Sequence, residues 1–173
     1  MAIKKKFFDV KLEVLDQNIP IFSSSSDSII GQTIKYDLTK ILRGKNCEAK
    51  FKVKKKDNIL IGEIYSFMIQ PSFIKKMIER NISIVEDSFV VKGEDFLLRI
   101  KPFLVTRRRV HRKIRSALRE DAREFITKQF SGKKREEIFQ LILSYTFQKT
   151  LSKRLKTIYP LAVCEIRMIK VEK

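Results

Sequence analysis

Apolar residues recur at every second position up to Val105, at every third or fourth position from Val110 towards Pro160, and at every second position again after it. Side chains alternate across a strand but line up at three- and four-residue spacing on a helix, so this double change of period dictates a β part, a helical part and a closing strand. A last strand needs a partner edge, and the strands that could supply one precede the helices. The expected class is α+β, in one domain over residues 1–173. Residues 1–105 are mainly β with one short helix, 106–160 are helical, and 161–173 form a C-terminal strand returning to the sheet. That sheet is expected to be antiparallel, barrel-like or curved, with the helical segment packed against it.

The local signals fill in this outline. FFDVKLEVL (7–15) alternates apolar and charged residues as a strand, and DQNIP (16–20) breaks it with turn residues and a proline. SSSSDS (23–28) competes for backbone hydrogen bonds and predicts a surface loop, after which TIKYDL (33–38) predicts a second strand. CEAKFKVKKK (47–56) places Cys47, Ala49, Phe51 and Val53 on one face and Glu48, Lys50, Lys52 and Lys54 on the other. Asp57 and Asn58 predict a hairpin turn into ILIGEIYSF (59–67). Pro71 opens a short helix that carries Phe73, Ile74, Met77 and Ile78 and ends at Arg80 and Asn81. ISIVEDSFVVKGEDFLLRIKPFLV (82–105) predicts two long strands around a turn at Lys92–Asp95, with Gly93 supplying a permissive dihedral. Val110, Ile114, Ala117, Leu118, Ala122, Phe125 and Ile126 then form the stripe of a helix of about six turns. Gly132 interrupts, and Ile138, Leu141, Ile142, Tyr145, Leu151 and Leu155 continue as one or two further helices stopped by Pro160.

Charge narrows the function. Lys and Arg number 38 against 20 Asp and Glu, a formal +18, and self-repulsion of that size is best relieved by a polyanion. The excess is concentrated: residues 101–135 hold 13 Lys or Arg and 3 acids, a net of +10. Arg108, Arg112, Arg115 and Arg119 follow at spacings of four, three and four along one helix flank, with Arg123 beyond them. Like charges at that spacing repel by a few tenths of a kcal/mol per pair, and Glu120, Asp121 and Glu124 are too few and too late in the helix to offset them. Phosphates would, and arginine's planar fork suits two phosphate oxygens at once. The lysines at 50, 52, 54, 55 and 56 form a second basic face, which would also discourage edge-to-edge aggregation. Lys4, Lys5 and Lys6 form a short basic arm that phosphate contact or a frayed terminus would equally explain.

Other chemistries find little support. Cys47 and Cys164 have no CxxC spacing and His111 is the single histidine, so neither a zinc site nor a disulfide framework is expected and both cysteines read as small apolar residues. P-loop, HExxH and GxSxG motifs are missing, and Glu94 and Asp95 lack a second acidic cluster for a two-metal site. Neither an enzyme nor a cofactor is expected. His111 is either a further RNA-facing donor or an ordinary surface residue. Phe51, Phe67, Phe89 and Phe96 share faces with aliphatic residues and read as core rather than base platforms. No stretch approaches the roughly 20 uncharged apolar residues of a membrane helix, which points to a cytoplasmic protein. A basic amphipathic helix could still lie on anionic lipid, but its stripe carries Ala117 and Ala122 and has no Trp, so a membrane-surface protein is an alternative, as is a nucleic-acid-binding protein of another kind, and not the first expectation.

Three segments in order, GQTIKYDL with KFKVKK, FVVKGEDFLLRIKPFLVTRRR, and KTIYPLAVCEIRMIKV, resemble the S3Ae family of ribosomal proteins, found in the small subunit of archaea and eukaryotes. The chain departs from that pattern at Lys92-Gly93-Glu94-Asp95, where Asp-Gly-Tyr is usual, and at Phe7-Phe8 in place of Trp-Tyr, and it lacks long basic tails. The resemblance implies a non-enzymatic constituent of the small ribosomal subunit, compact and of archaeal type. It implies a seat on the platform near the mRNA exit region, with small-subunit rRNA, neighbouring small-subunit proteins and, at the exit, mRNA as partners. Thr106 to Lys113 with Arg115 match the family's basic post-strand segment. The rRNA-binding set expected from residues and resemblance together is Arg107, Arg108, Arg109, His111, Arg112, Lys113, Arg115 and Arg119, with Lys50, Lys52, Lys54, Lys4, Lys5 and Lys6.

Overall fold

A computed structural model describes residues 5–42, 44–57 and 59–172. Lys4 and the turn residue Asn58 lie outside the described residues. The order is β1 (Lys6–Leu12), β2 (Gln17–Ser23), β3 (Thr33–Asp37), β4 (Cys47–Lys56), β5 (Ile59–Ile69), α1 (Pro71–Lys76), β6 (Ile84–Glu86), β7 (Phe89–Lys92), β8 (Leu97–Thr106), α2 (Arg112–Phe130), α3 (Arg135–Leu143), α4 (Thr146–Leu155) and β9 (Leu161–Glu172).

The nine strands form one open, mostly antiparallel sheet, and two of them serve two neighbours along one edge. β4 pairs with β3 on one side and with the whole of β5 on the other. The far edge of β5 is shared, because Leu60–Gly62 pair in parallel with Val10–Leu12 of β1 while Ser66–Met68 pair antiparallel with Met168–Lys170 of β9. β8 runs along β9, and its outer edge is divided between β7 and β6. The closing strand thus returns to the sheet, as its need for a partner edge predicts, and lies between β5 and β8.

Several expectations are corrected. The stretch after Asp16 is not a break but a strand: β2 pairs with β1 from Lys6↔Ser23 to Leu12↔Gln17, and the turn occupies residues 13–16. Pro20 is tolerated because β2 ends its branch of the sheet and its outer edge needs no ladder donor. The long strand expected before Lys92 is broken at Asp87-Ser88 into β6 and β7. Gly93 does not adopt a positive φ. Its requirement is steric, since a Cβ there would lie 2.5 Å from the Phe96 ring. α1 stops at Lys76, before Arg80, and the helical part ends at Leu155, ahead of Pro160. The long helix is 19 residues and starts at Arg112, so Arg107, Arg108, Arg109 and Val110 precede it.

One buried cluster joins sheet and helices, with Phe51, Phe103, Ile166 and Ile169 from the strands meeting Leu118, Ile126, Phe130, Phe139 and Leu151. Phe147 of α4 stands 4.5 Å from Phe130 and 5.8 Å from Phe125 between ring centroids, which ties α2 to α4. Phe51, Phe67 and Phe89 are buried as expected, and Phe96 is half-buried against the cluster. Cys47 and Cys164 are buried free thiols, and burial, with the Glu165 charge added, pushes both up to about 12.

Candidate nucleic-acid interface

The basic segment is set by the end of β8. Thr106 is completely buried, an uncommon place for a hydroxyl, and every bond it makes is to backbone. Thr106 is tied to the Ser83 backbone through both its main chain and its side chain: Thr106 N–H donates to the Ser83 carbonyl at 3.0 Å, and Ser83 N–H donates to Thr106 Oγ1 at 3.0 Å. The Thr106 hydroxyl donates to the Arg108 carbonyl at 2.7 Å, and Val110 N–H donates to Ser83 Oγ at 3.0 Å. Two hydroxyls, one at the end of β8 and one just before β6, therefore hold both ends of the turn that carries Arg107, Arg108 and Arg109. A buried polar group persists only when so satisfied, which makes this latch a specific device for shaping that turn.

Beyond it the chain enters α2 through His111, whose extended backbone makes the cap without a side-chain hydrogen bond. The first turn contains no acid, and Arg112, Lys113 and Arg115 crowd the positive end of the helix dipole. Cations there repel both one another and the helix end. Arg107, Arg108, Arg109, His111, Arg112, Lys113 and Arg115 are all exposed, and among the described residues no carboxylate lies within ion-pair distance of any of them. Arg109 and Arg115 line a cleft of about 420 Å³ with Asn81, Ser83 and Val110. Free N–H groups at a helix start with unpaired guanidinium groups around them form a surface suited to phosphate.

One turn further along α2 the arrangement changes. Arg119 Nε donates to the Glu86 carbonyl at 3.2 Å, and Arg123 holds Asp87 with two bonds of 2.9 and 2.8 Å while its guanidinium lies 5.4 Å from the centre of the Phe89 ring. Arg167 of β9 pairs with Glu86 at 2.9 Å, and Arg154 of α4 grips Asp121 of α2. Burial pushes the Asp87 carboxyl up. The Arg123 hydrogen bonds, the Ser88 N–H and the Arg123 and Arg119 charges outweigh it and leave the group below the usual aspartate range. These arginines fasten α2 to the β6–β7 break and to α4.

The β4 lysines stand on another part of the sheet, with β5 and β9 between them and β8. Lys54 is neutralised by Glu63 at 2.7 Å, a carboxylate that Arg135 shares at 2.9 Å, and half-buried Lys50 stands 3.9 Å from Glu48. Lys52 is exposed, as are Lys5 and Lys6 at the start of β1. The structure therefore brings together Arg107 to Arg115 of the expected set. It keeps Lys5, Lys6, Lys50, Lys52 and Lys54 apart from them, and it turns Arg119 towards the sheet. Sequence reasoning missed Ser83, which no periodicity marks, and the division of labour among the arginines, which depends on carboxylates distant in the chain.

Glu94 and Asp95 are exposed in the β7–β8 turn and line a cleft with Glu13, Glu63, Glu136 and Arg135. Burial, and after it the charge of Glu136, raises the Glu13 carboxyl. Among the described residues no three His, Cys, Asp or Glu are grouped to hold a metal ion, and no helix is long and apolar enough to cross a membrane.

Comparison with known proteins places residues 3–173 on the model of the Ribosomal S3Ae family. The chain is similar to the small ribosomal subunit protein eS1 of Nanoarchaeum equitans, 25% identical over 98% of this chain and 89% of that protein. It is also similar to the eS1 protein of Desulfurococcus amylolyticus, 23% identical over 96% of this chain and 82% of that protein.

Proposed function

The chain belongs to the ribosomal S3Ae family, and from that premise we propose that it is a structural, non-enzymatic constituent of the small ribosomal subunit that holds rRNA phosphates on its Arg107–Arg115 run. The observation that carries the rRNA contact is the exposed set of six Arg and Lys side chains from Arg107 to Arg115 without carboxylate partners among the described residues, three on a turn shaped by buried hydroxyls and three at the start of α2. An unpaired cationic run held in one shape costs folding energy through self-repulsion, and a bound polyanion removes that cost. The lysines of β4 and the start of β1 are secondary phosphate contacts, weakened at Lys54 by Glu63. The family resemblance supports a seat on the platform near the mRNA exit region, beside neighbouring small-subunit proteins and mRNA.

A membrane-surface role has less to work with. The apolar stripe of α2, from Leu118 through Ala122, Phe125 and Ile126 to Phe130, is spent on the core, which leaves no apolar helix face to enter lipid.

The test is co-sedimentation with small subunits together with the salt dependence of rRNA binding. If all six cations engage phosphates, log K falls against log salt with a slope of roughly 4 to 5 from this run alone. Replacing Arg108, Arg112 and Arg115 with Gln should lower that slope by roughly 2 to 3. A chain that stays in the ribosome-free fraction, or a triple variant with an unchanged slope, refutes the assignment.

A further inference from the structure

The aromatic residues judged by periodicity go into the core, but one pair does not. Phe7 of β1 and Phe22 of β2 are direct cross-strand partners, 71% and 57% exposed, with ring centroids 5.0 Å apart and planes tilted by 44°. The opposite face of the same hairpin supplies Phe8, Val10 and Ile21 to a small apolar cluster, so the hairpin already has its buried side and the Phe7–Phe22 pair is surplus to it. Alternation puts Asp9, Pro20, Lys11 and Asn18 beside the pair on the outer face, and Lys11 stands 4.0 Å from Asp16. The apolar patch is thus two rings wide. That is far below the roughly 800 Å² per partner of a stable protein interface, yet it matches the area of one or two nucleobases.

The surroundings fit the same ligand. Lys5 Nζ lies 5.9 Å from the centre of the Phe22 ring. The rings of such a pair give a base its face and a cation at one end gives the adjoining phosphate its counter-charge, which is how proteins hold single strands without reading their sequence. We propose that Phe7 and Phe22 form a stacking platform for an unpaired nucleotide of RNA, with Lys5 on its phosphate. This inference rests on the rRNA-binding function proposed above but concerns a different surface and a different kind of contact.

The experiment compares two RNAs on the full chain: an oligouridine carrying a central 2-aminopurine, and a blunt duplex of equal length. The Phe7→Leu/Phe22→Leu variant keeps an apolar cross-strand pair and removes the ring faces. Its Kd for the single strand should rise roughly five- to 150-fold, with the 2-aminopurine quench on binding lost, while duplex affinity and the salt slope stay at wild-type values. A Phe7→Tyr/Phe22→Tyr variant keeps the faces and should bind the single strand within about twofold of wild type, which separates loss of stacking from loss of folding. Unchanged single-strand affinity in the Leu variant overturns the platform, as does an equal loss on both RNAs. So does intact RNA binding with loss of co-sedimentation, which would give the patch to a protein neighbour. Weak binding of both RNAs by the Arg108, Arg112 and Arg115 variant, with the Leu variant unaffected, would refute the platform and leave the phosphate-binding run standing.

Discussion

The start and the middle of α2 carry the same residue type to opposite purposes. At its start, Arg107 to Arg115 meet no carboxylate among the described residues and surround an uncapped helix end. A turn later Arg119 and Arg123, with Arg154 and Arg167 from neighbouring elements, are bonded to Glu86, Asp87 and Asp121 and hold the helix on the sheet. A count of basic residues treats these groups alike. What separates a binding surface from a fastening is whether each charge already has its counter-charge inside the fold, because a paired guanidinium must break one bond to make another.

The largest effect expected from this contrast is on RNA. Replacing Arg108, Arg112 and Arg115 with Gln should weaken rRNA binding by roughly two to three orders of magnitude near 0.1 M salt. Since no internal bond is lost, the unfolding free energy should stay within about 0.5 kcal/mol of wild type. Filter binding and chemical denaturation on the same variant test both halves. A variant that loses stability along with affinity would place these arginines with the fasteners.

The latch beneath the run comes next. Thr106→Val keeps the shape of a fully buried side chain but leaves Ser83 N–H without its acceptor and the Arg108 carbonyl without its donor. A loss of about 1 to 3 kcal/mol in stability is expected. RNA affinity should fall as well, with the salt slope nearly intact, because the cations remain but the turn is no longer held. An unchanged denaturation midpoint would show that the latch is dispensable.

Arg123 belongs to the other side of the comparison. Its partner Asp87 is 11% exposed while Arg123 itself is 52% exposed, so solvent screens the pair in part, and Arg123→Gln should cost about 1 kcal/mol of stability with little change in RNA binding. The pH dependence carries the sign. Asp87 lies below its ordinary value in the folded protein, so its contribution is complete above the unfolded aspartate pKa near 4 and is lost as pH falls through the lower, folded value. In the Gln variant burial acts on Asp87 with less opposition, its titration moves upward, and the difference in stability between the two proteins should shrink as the solution is acidified below about pH 4. Denaturation at pH 7 and at pH 3 checks it, and a gap that widens in acid would contradict the pairing.

The same distinction explains what could be read from the chain before its structure. The period changes at Val105 and Pro160 are local properties, and they located β8, the helices and β9 to within a few residues. The basic run was equally legible as a concentration of charge. Pairing across the sheet was not: nothing near Pro20 in sequence shows that β2 would end a branch, where a proline is harmless. Nor does the sequence around residues 107–115 show that Glu86 and Asp87 serve Arg119, Arg123 and Arg167 and leave the earlier arginines alone. The helix starts two residues later than its apolar stripe predicts for a related reason: Val110 fits the stripe, while the Ser83–Thr106 latch draws the residues before Arg112 into a turn.

Arg119 gives the finest test because it stands between the two groups. It continues the spacing of Arg112 and Arg115 and is exposed, which made it a candidate for phosphate, yet its Nε is committed to the Glu86 carbonyl and its charge lies near Asp87. A carbonyl bond leaves the guanidinium charge uncancelled, so some attraction for RNA persists, but the bond and the neighbouring carboxylate both hold the group towards the sheet. Arg119→Gln should therefore weaken RNA binding by less than about threefold, well short of the loss in the Arg108, Arg112 and Arg115 variant, and lower stability by less than the roughly 1 kcal/mol expected at Arg123. A tenfold loss of RNA affinity at this position alone would move the boundary between the two groups one turn along α2, to Arg123, and the bidentate Asp87 pair would then mark where binding gives way to fastening.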